Sequence, residues 1–85
     1  MYVSIEKDAT TTEQSEMVSV KSIILLINDG STNKLRVNFY GSTNDLNYMT
    51  LMPGEKLVNL PIRFTNLNFI GIDGSTPFRF WGLKG

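Results

Sequence analysis

Two adjacent stretches, both of β character but differently patterned, constrain this chain most. Ile23-Ile24-Leu25-Leu26-Ile27 is an unbroken aliphatic run that stops at Asn28-Asp29-Gly30. After a short polar connection, Leu35, Val37 and Phe39 alternate with Lys34, Arg36 and Asn38. An unbroken apolar run reads as a strand buried on both faces, and an alternating one as a strand with one wet face. The Gly and Asn turn chemistry between them predicts a β-hairpin, and that hairpin is the expected seed of the fold.

The remaining sequence extends the same grammar. Val18 and Val20 alternate with Ser19 and Lys21 before the apolar run, so the strand is long enough to predict a bend or bulge near Lys21-Ser22. Pro53-Gly54 suits the two central positions of a type II turn, Pro presetting φ and Gly accepting a positive φ. Asp73-Gly74-Ser75-Thr76-Pro77 is the strongest turn signal. Gly-Ser-Thr recurs at Gly30, Gly41 and Gly74 and is expected at three surface hairpin tips. Turns every 8–12 residues and no helical periodicity predict an all-β chain, a small antiparallel sandwich or barrel of about six or seven short strands. Residues 1–16 are set apart from a β domain at 17–85. Tyr2, Val3 and Ile5 suit a short edge strand, followed by a polar, Thr-rich loop. The segment is expected to be flexible, either frayed or an arm that orders against a partner.

Eighty-five residues make one domain with a thin core, because a chain this size buries only about 60% of its unfolded surface. No Cys is present to form disulfides or thiolate metal sites, and no His. Eight basic and eight acidic residues are spread without clustering, which predicts no nucleic-acid partner. The longest apolar run is far below the roughly 20 residues of a spanning helix, so no membrane association is expected. The N-terminus lacks a signal peptide's apolar region, which places synthesis and retention in a cytoplasm.

A triad nucleophile has no His or Cys to build on. Asp29, Asp45, Glu55 and Asp73 fall at turns, where carboxylates cap local backbone, rather than facing one another across a cleft. The expectation is a non-enzyme without cofactor or metal. Phe39, Phe64, Phe69, Phe78 and Phe80 occupy apolar registers and read as core. Trp81 lies on the opposite strand face from Phe78 and Phe80, beside Arg79. It either covers a second sandwich face, anchors a subunit interface, or offers a stacking platform for sugars. Tyr2, Val3, Ile5, Arg79, Trp81 and Leu83 are the candidate subunit contacts, and Tyr40, Tyr48 and Trp81 the candidate glycan-stacking rings.

From Ser22 onward the chain resembles small β-structured proteins of tailed-phage structural gene clusters. The resemblance is carried by the apolar strand ending at Asn28-Asp29-Gly30, the strand Leu35-Arg36-Val37-Asn38-Phe39 and Gly41-Ser42-Thr43. It continues through the Leu51-Met52-Pro53-Gly54-Glu55 turn, Leu67 to Gly71, and the closing Pro77-Phe78-Arg79-Phe80-Trp81-Gly82-Leu83. It implies a virion component made in a host cytoplasm: a capsid decoration or cement subunit, or a tail or baseplate subunit. Its implied partners are its own copies and a major capsid protein or another virion subunit. A carbohydrate-binding surface module is the alternative from a different class.

Overall fold

A computed structural model describes residues 1–85. Seven antiparallel strands form the chain: β1 (Tyr2–Ala9), β2 (Gln14–Asn28), β3 (Lys34–Asn38), β4 (Met49–Leu51), β5 (Lys56–Leu60), β6 (Phe64–Ile72) and β7 (Thr76–Lys84). The fold is all-β, as expected.

The long strand β2 determines the architecture. Its 15 residues would span about 50 Å if straight, at ~3.3 Å per residue. The longest dimension of the molecule is 33 Å, so β2 must turn back within it. The fold-over is at Ser19, whose φ of 48° lies in the left-handed region. Register against β6 shifts between Met17 and Val20, and against β7 between Val20 and Ser22. The bend expected at Lys21-Ser22 thus centres two residues earlier. The first half of β2 pairs with β6, which continues to β3 and β4. The second half lies between β5 and β7, and β7 carries β1 on its far edge. One sheet folded on itself therefore makes two layers.

Between the layers, Phe64 and Phe69 of β6 meet Phe80 and Phe78 of β7, at centroid distances of 6.1 and 4.8 Å. Phe39 closes on Phe64 at 4.6 Å. Ile23, Leu26, Leu35, Val37 and Leu67 complete the buried centre. All five phenylalanines are core residues.

Three sequence expectations change. The β2–β3 hairpin does not form, since β3 pairs with β4 and β6 while β2 pairs with β5, β6 and β7. Residues 29–33 instead arch from one layer to the other. Asn28, fully buried at the mouth of that arch, gives its side-chain N–H groups to the Asn33 and Leu51 carbonyls, both at 3.0 Å. Its Oδ1 accepts from the Gly30 N–H at 2.9 Å and the Thr76 hydroxyl at 2.6 Å. Second, the Gly-Ser-Thr segments are not three exposed tips: Thr43 and Thr76 are buried and hydrogen-bonded. The Pro53-Gly54 turn does take type II geometry, with Gly54 at φ 82° and a Glu55 N–H to Met52 carbonyl bond of 2.9 Å.

Third, the N-terminal segment is ordered. β1 pairs with β7 over its full length, from Tyr2 opposite Leu83 to Ala9 opposite Thr76. The 16/17 boundary falls inside β2. Val3, Ile5, Lys7 and Ala9 share the inner face, so the alternation is genuine but is broken by a lysine. Lys7 reaches out between the layers to Glu16 of β2, Nζ to Oε1 2.7 Å, and spans the open side of the sandwich.

The polar 10–13 loop is fixed by Glu13. Its carboxylate accepts the Thr43 hydroxyl, the Thr43 N–H and the Ser42 hydroxyl. These bonds, the Thr43 hydroxyl's first and its N–H's second, hold the acid below its ordinary value of 4.5. A depressed carboxylate contributes stability that is present above its unfolded value and lost as pH falls through the folded one. Chemical denaturation along an acid series should show wild type losing its advantage over Glu13→Gln through that window. A stability difference independent of pH would contradict the assignment.

Candidate functional site

The inner side of each layer is consumed by the core, so exposed apolar groups identify any contact surface. Of the ten large apolar side chains that are exposed, Tyr2, Val58 and Trp81 lie on the outer side of the layer β1-β7-β2-β5, where the half-buried Ile24, Leu25 and Ile27 join them. The ladders set Ser4, Trp81, Leu25 and Val58 in one outward row across the four strands. The neighbouring row is Glu6, Arg79, Ile27 and Lys56. On the other side Tyr2 stands opposite Leu83.

A local irregularity explains why the aliphatic run of β2 serves both faces. The β2–β7 register shifts between Ile23 and Leu25, and Asn59 in the facing part of β5 has φ 51°. Ile23 and Leu26 point inward with Leu57 and Leu60, while Ile24, Leu25 and Ile27 point outward and are half-buried. An unbroken apolar run does serve two apolar faces here, but the chain covers only one of them. Antiparallel sandwiches normally carry polar residues outside. Here Tyr2, Val58 and Trp81 remain 68%, 52% and 44% exposed. Tyr2, Ser4, Ile24 and Trp81 line an open, mainly apolar depression at the centre.

The structure brings together only part of the expected contact set. Tyr2, Trp81 and Leu83 share this face. Val3 and Ile5 point the other way and pack on the core. Arg79 borders the patch, where its guanidinium grips Asp29 through two bonds, Nε to Oδ2 2.7 Å and Nη2 to Oδ1 3.0 Å. Sequence reasoning misses Ile24, Leu25 and Ile27, because an unbroken apolar run reads as wholly interior, and Val58, which lies in the separate Leu57-Val58-Asn59-Leu60 stretch. The unbroken run was itself the available signal.

The three candidate stacking rings do not converge. Tyr48 is covered by Arg36, whose guanidinium carbon lies 4.1 Å from the ring centroid. Tyr40 donates its hydroxyl to the Arg63 carbonyl at 3.0 Å and lines a separate open depression with Asn66 and Asn68. Trp81 lines the depression beside Tyr2. Asp45 accepts the Ser42 N–H and Glu55 the Met52 N–H within their own turns, while Asp29 pairs across the fold with Arg79.

No family model, curated protein or solved structure matches this chain.

Proposed function

We propose that this protein is a non-enzymatic assembly subunit of a virion, a capsid decoration or cement protein that works by surface association. The observation that carries the reading is the apolar outer face around Trp81, which the fold builds and leaves uncovered. Contiguous exposed apolar patches on small soluble domains mark association sites. Tyr2, Trp81 and Arg79 supply the residue types enriched at interface centres. The virion setting rests on the resemblance of Ser22 to Leu83 to small phage structural proteins.

Purified protein should co-sediment with empty heads of its own particle and raise their resistance to heat. A protein that stays in the supernatant at saturating concentration contradicts the virion reading. Sugar binding is the second reading, favoured by the Tyr40 depression with its flanking amides rather than by Trp81. It requires glycan-array binding that Tyr40→Ala removes.

A further inference from the structure

We propose that the Trp81 face binds a second copy of this chain, sheet to sheet, about a twofold axis running along the strands. The inference deepens the assembly reading and rests on it for its purpose.

Charge placement selects both occupant and orientation. In the row Glu6, Arg79, Ile27, Lys56, the outer strands carry opposite charges at the same height. The ion pairs of the chain are Lys7–Glu16 and Arg79–Asp29, so Lys56 makes no ion pair and Glu6, although opposite Arg79 in the ladder, makes none within contact distance. A twofold axis along the strands, lying between the two faces, reverses the strand order and preserves the height of each row. β1 then lies over β5 of the other copy and β7 over its β2. Glu6 of each subunit meets Lys56 of the other, and the contact is made twice, as an isologous interface requires. In the next row Trp81 of each copy covers Leu25 of the other, and Ser4 faces Val58. The apolar centre is thereby flanked on one side by charged pairs, while on the other side the Tyr2 and Leu83 end stays uncharged. Aligned face-to-face packing of twisted sheets is also a standard arrangement.

Interface size separates a transient contact from a permanent dimer. Four strands spaced ~4.8 Å apart and about 20 Å along their length give a flat footprint of roughly 400 Å² per subunit. Standard stable interfaces bury about 800 Å² per partner, so association in the micromolar range is expected rather than a permanent dimer.

The test is sedimentation equilibrium of the purified chain from about 5 μM to about 1 mM, a span that brackets micromolar dissociation constants. Wild type is expected to pass from monomer to dimer. Trp81→Asp should remain monomeric with an unchanged far-UV spectrum. Glu6→Lys and Lys56→Glu should each weaken dimerisation about tenfold, and the double variant Glu6→Lys/Lys56→Glu should recover it. A chain monomeric throughout, a dimer indifferent to Trp81→Asp, or a double variant no stronger than the singles overturns the proposal. Its failure is distinct from failure of the virion reading. A monomer that still binds heads removes the dimer alone, and a dimer that ignores heads removes the virion role alone.

Discussion

Asn28→Ala should lower the melting temperature by roughly 15 °C, at about 4–8 °C per kcal/mol for a domain of this size. Asn28 is fully buried and uses every side-chain hydrogen-bonding group, donating to Asn33 and Leu51 and accepting from Gly30 and Thr76. Its backbone joins the same structure, with the Asn28 N–H on the Glu55 carbonyl and the Gly54 N–H on the Asn28 carbonyl. One residue thus holds the 29–33 arch, the end of β4, the Pro53-Gly54 turn and the start of β7. Alanine leaves two carbonyls, an N–H and a hydroxyl without this partner, where each buried unsatisfied group costs about 1–3 kcal/mol. Two of the four bonds, to Asn33 and from Gly30, are only partly buried, so a total of about 3 kcal/mol is expected. Thr76→Val removes one donor and should cost about 1 kcal/mol. Calorimetry on both variants checks the ranking, and an Asn28→Ala loss no larger than that of Thr76→Val would contradict the hub.

Gly71→Ala should cost about 2–3 kcal/mol, the range of overpacking a site that cannot relax cheaply. A Cβ at Gly71 would stand 2.5 Å from the Ala9 carbonyl oxygen and press as hard on that of Gly74. Both obstacles are backbone, so no side chain can swing aside. The Gly71 N–H also bonds the Thr10 carbonyl at 2.7 Å, the stitch between β6 and the β1–β2 connection. Denaturant titration gives the overall loss, and amide exchange should locate it at the carboxyl end of β1. An unperturbed β1 in the variant would show that the close approach is not there.

These two positions mark where the sequence is legible and where it is not. Strand character could be read from alternation and turn residues, because both are local properties. The Pro53-Gly54 turn was readable for the same reason. Pairing was not, because a connection that arches between layers uses the same Asn, Asp and Gly residues as a hairpin turn. Asn28 looked like a turn residue, and only the folded chain shows it gathering four segments separated by up to 48 positions. The edge strand at Tyr2 to Ile5 was legible, but its ordered extension to Ala9 was not, because Lys7 breaks the inner stripe and its partner Glu16 lies in another strand. For the candidate site, Trp81 was legible as a residue facing away from Phe78 and Phe80. Its neighbours Ile24, Leu25 and Val58 were not, since strand irregularities at Ile24 and Asn59 decide which way those side chains point.

The central claim, that the outer face around Trp81 is an association surface, can be read from the chain's single tryptophan. Trp81 is 44% exposed in the isolated subunit, so dilute protein should emit as a solvated indole that acrylamide quenches readily. As concentration rises from micromolar to millimolar, the emission should shift to shorter wavelength and quenching should fall. Lys56→Glu should push both changes to higher concentration. Emission and quenching that stay constant over that range, with and without added heads, would contradict the claim.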